Sequence, residues 1–352
     1  MPLPETHPLL NGLTADSPLI RAYRGERTER LPVWFMRQAG RSLPEYRELR
    51  VGNAMLDACL TPALASEITL QPVRRHGVDA AIFFSDIVIP LKLAGVAVEI
   101  VPGRGPVLEH PIRTASDVAA LRPLDPDALQ PIIDGVALTV AQLGTTPLIG
   151  FAGAPFTLAS YLVEGGPSKD QIRARTLMFS DPHTWAALLN WCADVTGAFL
   201  RAQILAGASA AQLFDSWVGS LSEQNYVRRV APHSRRALDA LRGLDVPKVH
   251  FGVGSGEMLN AMHSIGADVM GVDWRIPLDE ANRRLGGTVP LQGNIDPALL
   301  SAPWGVLESH VRDVVDRGRD APSHVVNLGH GVPPDTDPDV LTRIVQLVHD
   351  LG

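Results

Sequence analysis

Short apolar runs rich in β-branched and aromatic residues recur along this chain, each followed by a polar or glycine-bearing turn and then a stretch with helical period. Eight such runs stand out: Pro32–Met36, Ala80–Ser85, Pro147–Ala152, Ala211–Phe214, Lys248–Val253, Asp268–Val272, Val289–Gln292 and Val325–Leu328. A run that is apolar throughout, rather than at alternate positions, marks a strand buried on both faces, as in a parallel sheet covered by helices. Eight strand–helix units predict an α/β fold, a single-domain (β/α)8 TIM barrel. An open doubly wound sheet is the structural rival, but no GxGxxG follows the first strand, which removes that fold's best sequence mark.

Three additions to the barrel are expected. Residues 1–16 are proline-rich and polar and read as a loosely ordered segment, leaving 17–352 as the catalytic domain. Ser17 reads as an N-cap with Pro18 at the first helical position, opening a short helix toward Arg24. Val96–His110 reads as a β-hairpin inserted after the second strand, closed by Pro102-Gly103-Arg104-Gly105. Thr157 is the expected N-cap of the helix that follows the third strand.

Composition narrows the function classes. Apolar residues make up 45% and charged residues 20%, as in a globular protein with a substantial core. A formal net charge of −7 argues against nucleic acid, so an anionic ligand would depend on local arginines. Only Cys59 and Cys192 are present, so neither a disulfide framework nor a cysteine-based zinc cluster is expected. No apolar run approaches the roughly 20 residues of a membrane span, and the N-terminus lacks a signal-peptide pattern. The expectation is a soluble cytoplasmic protein.

In such barrels chemistry sits at the C-terminal ends of the strands. After the first strand, Arg37 and Arg41 flank Gly40, and two guanidiniums there form a clamp for carboxylate or phosphate. Asp86 follows the second strand with apolar residues on both sides, where an isolated carboxylate is costly. It either pairs with Arg37 or Arg41, or accepts N–H groups of a ligand and opposes a developing cation. Tyr161 follows the third strand, and Asp215 with Ser216 the fourth. Asp273, Trp274 and Arg275 follow the sixth strand, Asn294 and Asp296 the seventh, and His330 the last. Lysines number three: Lys248 at the wrong end of its strand, Lys169 in a polar stretch, and Lys92 after strand two.

The segments PVWFMRQAGR, FFSD, GFAGAPFTLASYLVEGG, QLFDSW, LQGNIDP and NLGHGVPPDTDP, in that order from residue 32 to 338, resemble the uroporphyrinogen decarboxylase family. One departure is Ser42, where the family usually carries an aromatic residue. The resemblance implies removal of the four acetate carboxyls of uroporphyrinogen III, giving coproporphyrinogen III, without cofactor or metal. It also implies a homodimer, with Asp86 and Arg37 as catalytic residues. Arg37, Gln38, Ala39, Gly40, Arg41, Asp86, Tyr161, Ser216 and His330 would contact substrate. Two alternatives remain open: a related barrel methyltransferase, which would hold zinc with His and Cys, and a non-catalytic tetrapyrrole-binding protein.

Overall fold

The computed structural model describes residues 2–352. The main sheet is parallel and contains β1 (Ala81–Ile82), β4 (Leu148–Gly153), β5 (Ala210–Asp215), β6 (Lys248–Gly252), β7 (Val269–Gly271), β8 (Leu291–Ile295) and β9 (His324–Leu328), in that spatial order. Between β1 and β4 the chain forms the expected hairpin, β2 (Val98–Val101) and β3 (Gly105–Leu108), in antiparallel register with Val101 opposite Gly105.

The run at 32–36 is present as a stave but not as a regular strand. Val33 forms a single parallel bridge to Val326 of β9. Val326 N donates to Pro32 O at 2.9 Å and Trp34 N to Val326 O at 3.2 Å, while on the other side Asp79 N donates to Val33 O at 2.9 Å. The segment therefore links the two edges of the curled seven-stranded sheet. It is irregular because its donors go elsewhere: Pro32 has none, Phe35 N donates to Gln38 Oε1 and Met36 N to Asn327 Oδ1. β1 is shortened in the same way, with Phe84 N donating to Thr69 Oγ1 at 2.8 Å.

Every residue of β4, β8 and β9 is buried, as the continuous apolar runs require. The interior also carries polar side chains that hydrogen-bond one another. Tyr23 donates to Gln292 Oε1, Trp34 Nε1 lies 3.2 Å from both, and Gln292 Nε2 donates to Gln212 Oε1 at 3.2 Å. Tyr23 belongs to the helix Pro18–Tyr23, whose N-cap Ser17 accepts from Ile20 N as expected.

The N-terminal segment differs from expectation. Instead of hanging loose, it is tied to the barrel: His7 Nε2 lies 3.0 Å from Ile204 O, and Thr14 Oγ1 lies 2.8 Å from Ser209 Oγ. Leu3 and Leu9 are buried with them. Sparse apolar residues among prolines gave no periodic signal, yet each has a place on the finished surface of the barrel.

Candidate functional site

The segments that follow six of the staves, those at 32–36, β1, β4, β5, β7 and β9, carry the candidate residues at the C-terminal end of the barrel. Arg37 begins the first, and its backbone is left-handed with φ of 61°. This unusual conformation for a side-chain-bearing residue turns the chain out of the stave. Gln38, expected to touch substrate, is fully buried, and its side chain is committed to the backbone. Its Oε1 accepts from Phe35 N and its Nε2 donates to Ala80 O, both at 3.0 Å. It pins the loop to β1, which leaves only its backbone for a ligand. Ala39 and Gly40 are half-buried, and Arg37 and Arg41 are exposed. Neither guanidinium pairs with a carboxylate among the described residues, in contrast to Arg75, Arg236 and Arg284. Ser42 is buried, with Oγ unpartnered.

The last loop holds the first in place. A Cβ on Gly331 would overlap the stem of Arg37, and one on Gly329 would overlap the backbone of Trp274. Glycine at both positions lets the β9 loop pass between Arg37 and the β7 loop. Val332 N closes the contact by donating to Met36 O at 2.8 Å.

Asp86 is half-buried and accepts one hydrogen bond, from Val88 N at 3.0 Å. It makes no ion pair with Arg37 or Arg41 at hydrogen-bonding range, so that reading of its role falls away. Burial pushes its pKa above the usual carboxylate value, with the Val88 N–H and the charge of Arg37 acting against the rise. The Tyr161 hydroxyl is pushed up to about 12 by burial and by the charge of Asp86, again opposed by Arg37. These three groups thus share one electrostatic neighbourhood. Tyr161 stacks on Trp217 with ring centroids 4.0 Å apart and planes at 27°, forming one aromatic wall.

His330 is half-buried and edge-on to Trp274 at 6.3 Å. Its pKa falls to about 4 through burial and then the charges of Arg37 and Arg275, with Asp273 opposing. The imidazole is neutral near pH 7 and offers one donor and one acceptor. Ser216, half-buried beside Trp217, makes no side-chain hydrogen bond among the described residues. The mouth therefore presents unpaired cations, one under-paired carboxylate, two hydroxyls and a neutral imidazole. That set suits a large ligand bearing several carboxylates around N–H donors.

Other residues at the strand ends serve the scaffold. Asn294 Nδ2 donates to Asp273 O and Ile276 O at 2.9 and 2.6 Å. Asp296 caps a short helical turn by accepting from Ala298 N. Thr157 is not an N-cap: Ala154 occupies that place for the helix Pro155–Glu164, and Thr157 Oγ1 instead donates to Asp215 Oδ1 at 2.8 Å. Arg275 adds a cation close enough to His330 to help lower its pKa. It lies 3.9 Å over the Trp274 ring, held by Asp273 Oδ2 at 2.6 Å, with half of its side chain exposed. The alternation of Asp273, Trp274 and Arg275 was the available signal. Among the lysines, Lys92 is half-buried, Lys169 is exposed, and Lys248 begins β6 and pairs with Asp268 at 2.7 Å. Cys59 and Cys192 are both buried, their thiol pKa values pushed up by desolvation. No cluster of three or more potential metal-ligating His, Cys, Asp or Glu side chains occurs among the described residues.

The family model described as uroporphyrinogen decarboxylase (URO-D) matches residues 14–351. A uroporphyrinogen decarboxylase of Arthrobacter sp. (strain FB24) is 70% identical over 343 residues, covering 97% of this chain and 99% of its own. The one from Leifsonia xyli subsp. xyli (strain CTCB07) is 65% identical, covering 99% and 98%. Among solved structures, a methyltransferase from Methanosarcina mazei superposes with a TM-score of 0.81 over 96% of this chain and 99% of its own. Its 18% identity makes that a likeness of fold alone.

Proposed function

The chain belongs to the uroporphyrinogen decarboxylase family, and from that premise we propose that it removes the four acetate carboxyls of uroporphyrinogen III to give coproporphyrinogen III, in tetrapyrrole biosynthesis. The observation that carries the site assignment is the under-paired Asp86 within the field of the unpaired Arg37 guanidinium at the barrel mouth.

Decarboxylation needs a sink for the electron pair of the breaking C–C bond. A protonated pyrrole of the substrate serves. The pair left by departing CO2 flows into the cationic ring. A proton added at the exocyclic carbon then makes the methyl group, and the ring gives back the proton it first took up, so that one proton is consumed for each CO2 released. No cofactor is required on this route. Asp86, as carboxylate, accepts the pyrrole N–H groups and stabilises the ring cation where water is largely excluded. Arg37 lies closest to Asp86 electrostatically and holds the acetate that reacts. Arg41, Tyr161, Ser216 and His330, with the backbone of Gln38, Ala39 and Gly40, bind the remaining carboxylates and the ring edge. An arginine makes a poor acid, since its pKa exceeds about 12. Arg37 is therefore assigned to positioning and charge stabilisation.

The related methyltransferase reading draws support from fold alone. The proposal extends to a homodimer of this chain in the cytoplasm. The deciding experiment is an anaerobic assay with reduced uroporphyrinogen, following products by carboxyl number. Stepwise appearance of seven-, six-, five- and four-carboxyl products is the expected outcome. Tight binding without carboxyl loss would instead identify a tetrapyrrole carrier. Light scattering on the same preparation tests the dimer.

A further inference from the structure

Behind the aromatic wall lies a buried polar cluster that the proposed chemistry does not use. Asp215 ends β5 directly before Ser216 and Trp217 and is fully buried. A carboxylate so placed is expensive unless every oxygen is satisfied. Oδ1 accepts from Thr157 Oγ1, but Oδ2 has no partner. His250, on the neighbouring strand β6 and equally buried, points Nε2 at that oxygen from 3.8 Å, too far for a hydrogen bond. Its other nitrogen, Nδ1, lies 3.2 Å from Met262 O. A carbonyl accepts only, so Nδ1 carries a proton, and in a ring that holds a single proton Nε2 is left as an acceptor. Two acceptors thus face each other across a gap with no donor between them. The buried Tyr226 hydroxyl, also unpartnered, is close enough to feel the carboxylate charge.

We propose that Asp215 is a positioning residue for the Tyr161–Trp217 wall, held on one oxygen by Thr157 and on the other by a buried water that it shares with His250. One water donates both protons, one to Asp215 Oδ2 and one to His250 Nε2, which satisfies both acceptors without charging the imidazole. The connection to the mouth is direct. Thr157 lies one turn before Tyr161 on the same helix, and its Oγ1 also accepts from Trp217 N at 3.4 Å. One hydroxyl therefore ties the β5 carboxylate to both halves of the wall, and Ser216 sits between the anchored residues.

The inference rests on the decarboxylase reading only in its kinetic arm, and the structural arm stands without it. A crystal structure of the full chain should show a water within hydrogen-bonding distance of Asp215 Oδ2 and His250 Nε2. Nitrogen NMR of labelled histidine should assign the neutral Nδ1–H tautomer to His250. A direct Asp215–His250 contact with a doubly protonated ring would overturn the water assignment. For the kinetic arm, Thr157→Val keeps the shape and removes the bridging hydroxyl, and it is assayed at a temperature where circular dichroism shows it folded. It should raise KM for uroporphyrinogen about tenfold with kcat changed less, whereas Thr157→Ser should restore wild-type KM. In a Tyr161→Phe background the Thr157→Val penalty should shrink, because both act on one wall. Unchanged KM in Thr157→Val, or full additivity with Tyr161→Phe, would remove the positioning role. Carboxyl loss absent from the wild type would defeat the functional reading and leave the water and tautomer results intact.

Discussion

Two aspartates flank the short strand β1, and they differ in how completely their neighbours satisfy them. Asp79, at the N-terminal end, is buried and saturated: it binds Arg30, accepts from Val33 N at 2.8 Å, and lies 2.8 Å from His349 Nε2. Asp86, at the C-terminal end, has the Val88 N–H and nothing else. The same residue type thus closes the barrel at its base and stands under-paired at its mouth, where the proposed chemistry would use it. A saturated buried carboxylate contributes to stability, while an under-paired one detracts from it and is retained for binding or chemistry. The arginines repeat the contrast. Arg30 has its carboxylate partner, whereas Arg37 and Arg41 have none.

The sharpest way to break the comparison is to neutralise each aspartate in turn. Asp86→Asn should lower turnover by about 10²–10³-fold while affecting substrate binding less. It should also raise stability at neutral pH. The folded pKa of Asp86 is raised, so the folded state favours its protonated form, and its ionisation above that pKa works against folding. Steady-state kinetics and chemical denaturation at pH 7 check both halves. Near-normal turnover, or lower stability, would dissolve the distinction between the two sites. Asp79→Asn should do the reverse. Breaking a buried pair costs about 3 kcal/mol after allowing for the exposed Arg30, and kcat at a temperature where the variant is folded should stay within a factor of two.

Acid should weaken the base of the barrel through its buried histidines. His324 and His76 are both held near pKa 4, chiefly by burial. Each folded value is depressed below the ordinary 6.5, so the stability they secure is complete above about pH 6.5. It is lost as the pH falls toward 4, because the unfolded chain binds the protons. For fully buried His324 the loss is on the order of 3 kcal/mol. His324→Gln keeps a donor for Gly293 O and should flatten the acid limb of a stability–pH curve. An unaltered limb would place the acid sensitivity elsewhere.

At the mouth, Arg37→Lys and Arg41→Lys keep charge and lose the planar fork, which should cost about 1.5–3 kcal/mol in binding each. Arg37→Lys should lower kcat as well, and titration calorimetry with an oxidised polycarboxylated porphyrin separates affinity from rate. If both variants bind normally, the clamp is misassigned. The smallest effect belongs to a partly exposed pair at the base, Lys248 with Asp268. Lys248→Ala should change stability by less than about 1 kcal/mol and leave the rate alone.

The sequence by itself determined the architecture, because a strand buried on both faces must be apolar throughout and eight such runs were visible. It also marked Asp86, Arg37, Arg41 and His330, since charged and polar groups stand out at the ends of apolar runs. Whether a marked group is used up or available depends on partners that are distant in sequence. Asp79 meets His349 across 270 residues, and the stem of Arg37 lies against Gly331. The side chain of Gln38 is committed to a backbone clamp, which leaves its main chain for the proposed ligand contact, and Thr157 looked like a helix cap and proved to bind Asp215. In both cases the competing acceptor or donor came from another strand of the closed sheet. The docking of the N-terminal segment was hidden for the same reason: isolated apolar residues carry no period, and only the assembled barrel provides the surface that buries them. Hydrophobic pattern is local and survives in one dimension, whereas hydrogen-bond saturation is settled only when the sheet curls and brings its first and last staves together.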